Sequence, residues 1–284
     1  MTDRKFSVVT TFNQSGLDLY GQRMIDSFVK NWPGIVQLHV YAEGCQPIVP
    51  QTGQVILHDL NAVGHLARFK QRWKSVPHAN GDISQDPIRR LRKDAKKEFK
   101  WNAVRFAHKV YAVFDAAKTV PTDVLLWMDA DMVCHSPILV EDLSRLFPVG
   151  CDLGFLGRKG KFSECGLYAM SLNSPATRQF LSVFQQMYDQ AESGIFTLDE
   201  WHDSFVFDAV RKRVSLTETD WSSSLGDIRP HVKNSPGEGH PLINSEWGRW
   251  LDHLKGDRKQ TGRSWTDDVK VARTETYWQI PNAT

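Results

Sequence analysis

Hydrophobic and polar positions alternate between two periods along the first third of the chain. Residues 6–12 (FSVVTTF) form a short, β-branched and aromatic run that predicts a strand. The turn-prone Asn13-Gln14-Ser15-Gly16 follows it. Tyr20, Met24 and Phe28 then recur at four-residue steps beside Leu17, Ile25 and Val29, which predicts an amphipathic helix stopped at Trp32-Pro33-Gly34. Residues 36–41 and 55–57 read as two further strands. Strand, helix, strand at this spacing predicts an α/β fold with a mostly parallel central sheet flanked by helices.

The pattern blurs over 65–100, where 78–87 (HANGDISQDP) has a loop composition. It clears at 101–118, a predicted helix with Trp101, Val104, Ala107, Tyr111 and Phe114 on one stripe. Arg105 and Lys109 share another face, either solvated or turned toward an anion. Residues 152–156 and 167–172 predict strands joined by the charged loop Arg158-Lys159-Gly160-Lys161. Ser174-Pro175 is a helix start, with a serine cap before a proline at the first position. Leu198, Trp201, Phe205 and Ala209 predict another helix, with Asp199, Glu200 and Asp203 in its first turns. Acidic groups there either complement the helix dipole or serve chemistry. Residues 222–241 show little periodicity and predict long loops over a site.

One stretch stands apart from this alternation. Val124-Leu125-Leu126-Trp127-Met128 is apolar throughout, as expected of a central strand buried on both faces, and it delivers Asp129-Ala130-Asp131 at its C-terminal end. Ligands of open α/β sheets sit beyond the carboxyl ends of the strands. Residues two apart return to the same side of an extended chain, so the two carboxylates can share one hard divalent cation whose other ligands include phosphate oxygens. The competing reading is a solvated acidic turn.

Composition narrows the function classes. A net charge of +2, with 41% hydrophobic and 24% charged residues, is that of an ordinary globular protein and demands no nucleic-acid partner. The charge is uneven, however, because residues 89–100 (RRLRKDAKKEFK) hold seven basic and two acidic groups. The four cysteines show no C-x-x-C or metal spacing, which favours free thiols in a reducing, cytoplasmic setting. No run approaches the ~20 apolar residues of a membrane span. The first strand–helix turn lacks a glycine-rich phosphate loop, which argues against a dinucleotide-binding Rossmann domain and a P-loop ATPase.

Near the C-terminus comes His253-Leu254-Lys255-Gly256-Asp257-Arg258-Lys259. Imidazole suits a transition metal alongside carboxylates, glycine lets backbone approach a phosphate, and lysine adds a point charge to the same anion. Asp-x-Asp after an apolar strand, followed much later by His-x-x-Gly-x-x-Lys, resembles the GT-A fold glycosyltransferases, and within them the family 8 type that includes glycogenin. The resemblance implies a GT-A fold and transfer of a sugar from a UDP- or GDP-sugar to a hydroxyl, with retention of configuration. It implies Mn²⁺ or Mg²⁺ held by Asp129, Asp131 and His253, and diphosphate contacts from Gly256 and Lys259. It places Gly166, within Ser163-Glu164-Cys165-Gly166, beside the donor sugar, and turns Arg105 and Lys109 toward the donor.

Two departures stand out. Lys259 is followed by Gln260-Thr261-Gly262 where the family continues Pro-Trp, and Trp265 arrives late. The family's Asp-Gln-Asp-like segment is matched only loosely by His202-Asp203-Ser204. Asp203, then Glu200, are the candidates for the carboxylate that faces the anomeric carbon or takes the acceptor's proton. Thr10, Thr11, Phe12 and Asn13, at the end of the first strand, are expected to receive the nucleotide; core packing is the expectation for Tyr20, with help to the nucleotide as the alternative. The chain is expected to be one domain, 1–135 serving the nucleotide-sugar and 136–284 the acceptor together with the late motif. The acceptor is a glycan, a protein or a nucleic acid. Two other classes stay open: a nucleotidyl- or phosphoryl-transferring enzyme built on the same aspartates, and a nucleic-acid-directed protein that uses 89–100.

Overall fold

The computed structural model describes residues 4–225 and 240–279. Residues 226–239, most of the long loop expected over 222–241, lie outside the described residues. Strand β1 (Phe6–Asn13) is followed by a helix where a turn is expected. The Asn13 side chain accepts the Gly16 N–H at 2.9 Å and so caps the helix. The helix then runs from Gln14–Gly16 through a π-helical stretch, Leu17–Gly21, into α1 (Gln22–Asn31). Trp32 ends it.

Next come β2 (Gln37–Glu43) and β3 (Val55–Asp59), close to the expected spans. Helix α2 (Gly64–Trp73) occupies the stretch where the pattern blurred. Helix α3 (Ala103–Thr119) packs on β1 and α2 and buries the predicted stripe. Then follow β4 (Val124–Met128), β5 (Met132–Cys134), helix α4 (Val140–Leu146) and β6 (Leu153–Leu156). Strand β7 (Glu164–Ser171) begins three residues before its predicted start, so Glu164 and Gly166 are strand residues. Helix α5 (Pro175–Asp189) is capped by Ser174, as the Ser-Pro pair predicts. Helix α6 spans Asp203–Arg211, and short strands β8 (Glu218–Asp220) and β9 (Leu251–His253) complete the sheets.

The main sheet has the order β3-β2-β1-β4-β7-β6-β8. Strands β1 to β4 run parallel; β7 runs antiparallel to both β4 and β6, and β8 is parallel to β6. The fold is therefore α/β with a mostly parallel central sheet. Alternate residues feed two cores: Val9, Tyr41, Leu125 and Trp127 face α2, α3 and α5, while Val8, Val40, Leu126 and Met128 face α1 and the C-terminal segment. Covering both faces explains why β4 reads as continuously apolar. A second, two-stranded sheet pairs β5 with β9 and sets Met132 opposite His253. That small sheet brings the late motif to the end of β4. Among the described residues, no helix is long and apolar enough to cross a membrane.

Candidate active site

The chain leaves β4 at Asp129 and turns at once, with the Met132 N–H donating to the Asp129 carbonyl at 3.1 Å. Asp129 and Asp131 therefore sit on a tight turn at the carboxyl edge of the sheet. The Asp129 N–H donates to Gly166 on β7, and the Leu254 N–H donates to the Asp131 carbonyl at 2.9 Å, which locks the late motif against this turn.

His253 is buried, and its Nε2 lies 3.1 Å from Asp131 Oδ1 and 3.7 Å from Asp129 Oδ2. The remaining oxygens are already engaged. Asp129 Oδ1 accepts from Lys109 Nζ at 3.0 Å and from the Trp127 indole N–H at 2.7 Å. Asp131 Oδ2 pairs with Lys259 Nζ at 2.9 Å. Each carboxylate thus turns its second oxygen toward one imidazole nitrogen, and these three groups lie within 4.8 Å of one another. Two carboxylate oxygens and an imidazole nitrogen are a donor set that suits Mn²⁺ or Mg²⁺.

Electrostatics support the same fit. Burial pushes the Asp129 carboxyl up, Lys109 draws it back, and repulsion from Asp131 adds to the rise, so it stays above the usual carboxylate range. Burial also opposes ionisation of Asp131, but His253 and Lys259 outweigh it and hold that carboxyl below its usual range. Two partly buried carboxylates that do not ionise equally well gain from a shared cation. The His253 Nδ1 has no hydrogen-bond partner and lies 3.9 Å from Glu164 Oε1. A cation on Nε2 requires the ring proton on Nδ1, where it faces that carboxylate. Glu164 is itself held ionised: burial opposes this, and Lys255 at 2.5 Å overcomes it.

Gly166 has a steric reason to be glycine. A Cβ there would stand 2.4 Å from His253 Cε1 and 2.8 Å from its Nδ1. Replacing Gly166 with alanine should push the imidazole off the aspartates and weaken Mn²⁺ binding about 10- to 100-fold. Manganese titration followed by electron paramagnetic resonance reads this directly. Unchanged affinity would mean that the ring need not occupy its present place.

The site lines a cleft of about 1040 Å³ along the carboxyl edge of the sheet. Thr11, Phe12, Asn13 and Tyr20 are on its wall, together with Arg105 and Lys259. Three predicted assignments change. Thr10 is fully buried and is not on the wall. The Asn13 side-chain oxygen is occupied by the helix cap. Lys109 cannot hold a phosphate as expected, because its three donors are taken by Asp129, by Asp203 Oδ2 at 2.7 Å and by the Cys165 carbonyl. Buried between two carboxylates, its ammonium is held well above the usual lysine range: burial works against this, and Asp129 and Asp203 prevail.

The two candidate catalytic carboxylates separate. Asp203 opens α6 and is tied through Lys109 to Asp129. Burial opposes its ionisation, but Lys109 holds its carboxyl below the usual range. Asp199 and Glu200 precede α6 instead of lying in its first turn, because His202 is the residue that caps the helix. Glu200 is buried against Lys100 at 2.6 Å, Arg92 at 3.0 Å and His202 at 3.0 Å.

Residues 89–100 form short 3-10 turns. Arg89 pairs with Asp86, Arg92 and Lys100 with Asp94 and Glu200. These contacts fold the run back as one wall of the cleft. Gly256 adopts φ 60°, a left-handed conformation that favours glycine, in the turn between His253 and Lys259. The late Trp265 lies 3.6 Å from the Arg258 guanidinium, which pairs with fully buried Asp268 at 2.7 Å. His240, Glu164 and Lys255 carry no role in the sequence reading, yet they surround His253. His240 stacks edge-on at 4.9 Å and forms a second potential cation group with Glu164 and His253.

No protein-family model and no curated protein matches the sequence. Among solved structures the chain is similar to the bifunctional glycosyltransferase WbbM (11% identity, TM-score 0.42), covering 78% of this chain and 39% of that one. It is similar to mouse xyloside xylosyltransferase 1 (13%, TM-score 0.42), with 74% and 82% covered. It is also similar to the glycosyltransferase GlyE of Streptococcus pneumoniae (12%, TM-score 0.44), with 76% and 45% covered. The chain thus spans less than half the length of WbbM and of GlyE.

Proposed function

We propose that the protein is a metal-dependent glycosyltransferase that moves a sugar from a UDP- or GDP-sugar to a hydroxyl acceptor. The observation that carries this reading is the convergence of Asp129, Asp131 and His253, with Lys259 beside them, at the carboxyl edge of β4. A phosphoryl- or nucleotidyl-transferring enzyme needs the aspartates but has no evident use for the late histidine, glycine and lysine.

Asp129, Asp131 and His253 would hold Mn²⁺ or Mg²⁺, which when bound supplies positive charge beside the departing nucleoside diphosphate. Lys259 and Arg105 line the cleft with cationic groups that can share that anion. Thr11, Phe12 and Tyr20 form the wall for the nucleoside. Lys109 is a positioning residue, fixing Asp129 and Asp203 relative to each other. Because Lys109 stabilises the ionised form of Asp203, that carboxylate is a weak proton acceptor. It is better suited to face the oxocarbenium-like carbon than to deprotonate the acceptor. Retention of configuration, the outcome the sequence resemblance implies, is compatible with a carboxylate in that place.

A panel of UDP- and GDP-sugars, with nucleoside triphosphates alongside, tests the proposal. Binding and slow hydrolysis of one nucleotide-sugar are expected with Mn²⁺ or Mg²⁺ and lost on chelation. Turnover of triphosphates without any nucleotide-sugar would assign the site to phosphoryl or nucleotidyl transfer instead.

A further inference from the structure

We infer that the part of the cleft beyond β7 receives a saccharide acceptor bearing a negatively charged group, carboxylate or phosphate. The inference rests on the proposed donor site, which takes the part of the cleft nearest β1 and β2. Strand order separates the two regions. Asp129 and Asp131 follow β4, Thr11, Phe12 and Glu43 end β1 and β2 on one side, and the β6–β7 loop lies on the other, where Phe99 and Phe106 gather with Phe162 around His202.

The far region has an aromatic wall. Phe99, Phe106 and Phe162 line the cleft, with ring centroids 6.0, 6.1 and 5.4 Å from that of His202. All three phenylalanines remain partly exposed. Flat apolar surface left open in a polar cleft suits the C–H face of a pyranose.

The same wall carries uncompensated positive charge. Lys97 and Lys161 line the cleft and are exposed, and neither has an ion-pair partner among the described residues. The acidic side chains that line this part of the cleft are already engaged, and Glu98, exposed beside Lys97, is not among the lining residues. Glu200 pairs with Lys100 and Arg92, and Glu164 pairs with Lys255. Asp203 pairs with Lys109. Asp208, behind the loop, binds the Ser163 N–H and hydroxyl and pairs with Arg211. Among the described residues that line this wall, an anionic ligand therefore meets two free ammonium groups and no free carboxylate. Lys255 and Arg158, both directed at Glu164, keep the floor from turning negative. The donor diphosphate has its own cation in Lys259, which lies 4.9 Å from the Tyr20 ring, while Arg105 stands 5.9 Å from the Phe106 ring, between the two regions of the cleft.

The test uses the full chain with Mn²⁺ and UDP or GDP present, and reads saccharide binding by ligand-observed NMR. Two probe pairs separate the anion sources: trigalacturonate against maltotriose, and glucose 6-phosphate against glucose. In at least one pair the charged member should bind about tenfold more tightly, and the difference should shrink at high salt. A Lys97→Ser/Lys161→Ser variant should lose that preference while its nucleotide affinity stays unchanged. Phe162→Ala should weaken charged and neutral probes alike. Equal affinity for charged and neutral members of both pairs, alongside normal nucleotide binding, would overturn this inference alone. Loss of nucleotide affinity in the double variant would also overturn it, by assigning the lysines to the donor. Absence of metal-dependent nucleotide binding in the unmodified protein would instead sink the donor site, and this inference with it.

Discussion

Replacing Asp131 with asparagine should lower sugar transfer by a factor on the order of 10²–10³ while the protein remains folded. The side chain meets His253 through one oxygen and Lys259 through the other, so it links the imidazole to the lysine. Asparagine keeps the shape and one acceptor but removes the charge that a cation and Lys259 both need. Alanine would also leave the Lys259 ammonium and the buried His253 without their shared partner, which makes it the poorer test. Lys259 is partly exposed and can turn to water, so the stability cost of asparagine should be about 1–2 kcal/mol. Urea denaturation checks the fold, and release of nucleoside diphosphate checks the turnover. A variant that keeps full turnover would remove the aspartate pair from the chemistry.

What was legible in the sequence follows from which forces act locally. Strand β4 was legible because a strand buried on both faces must be apolar throughout, and β1 because its run is β-branched and aromatic. The stripe of α3 and the Ser174 cap were legible for similarly local reasons. Helix α2 was not, because Leu66, Phe69 and Trp73 form a sparse stripe within the basic sequence GHLARFKQRW. Asn13 reads as a turn residue, yet the same side-chain oxygen caps a helix when the chain turns upward.

The candidate site was legible at its chemistry and less so at its geometry. Asp129, Asp131, His253 and Lys259 come together as the motifs suggest, through strands of three residues that no periodicity could predict. Arg105 and Lys109 share a helix face in sequence, but one is exposed and the other buried between two carboxylates. Spacing assigns a face and leaves open how deep each residue along it lies. Asp203 and Glu200, three positions apart, were first and second candidates for the same role. Burial gave one to the wall of the cleft and the other to the aspartates. The contact between Gly166 and His253 joins distant segments and has no local signature.

Replacing His253 with alanine should weaken Mn²⁺ binding by about 100-fold or more in the presence of the nucleoside diphosphate. His253 stands 122 positions beyond Asp131, and the β5–β9 pairing, with the Leu254 N–H on the Asp131 carbonyl, holds it there. In the fold it lies at the end of a strand, with Nε2 directed at two carboxylate oxygens. Its burial makes alanine costly in its own right, because a cavity opens beside Gly166 and His240, and a loss of about 1–3 kcal/mol is expected. Asparagine at 253 fills more of that space without supplying an imidazole, and so separates the two effects. Calorimetric titration of Mn²⁺ should give weak binding in both variants, even though asparagine recovers part of the stability. Saturating Mn²⁺ with nucleoside diphosphate should raise the melting temperature of the unmodified protein and leave both variants nearly unmoved. Equal manganese affinity in all three proteins would take His253 out of the site. The aspartates alone would then fit a phosphoryl-transferring enzyme as well as they fit a glycosyltransferase.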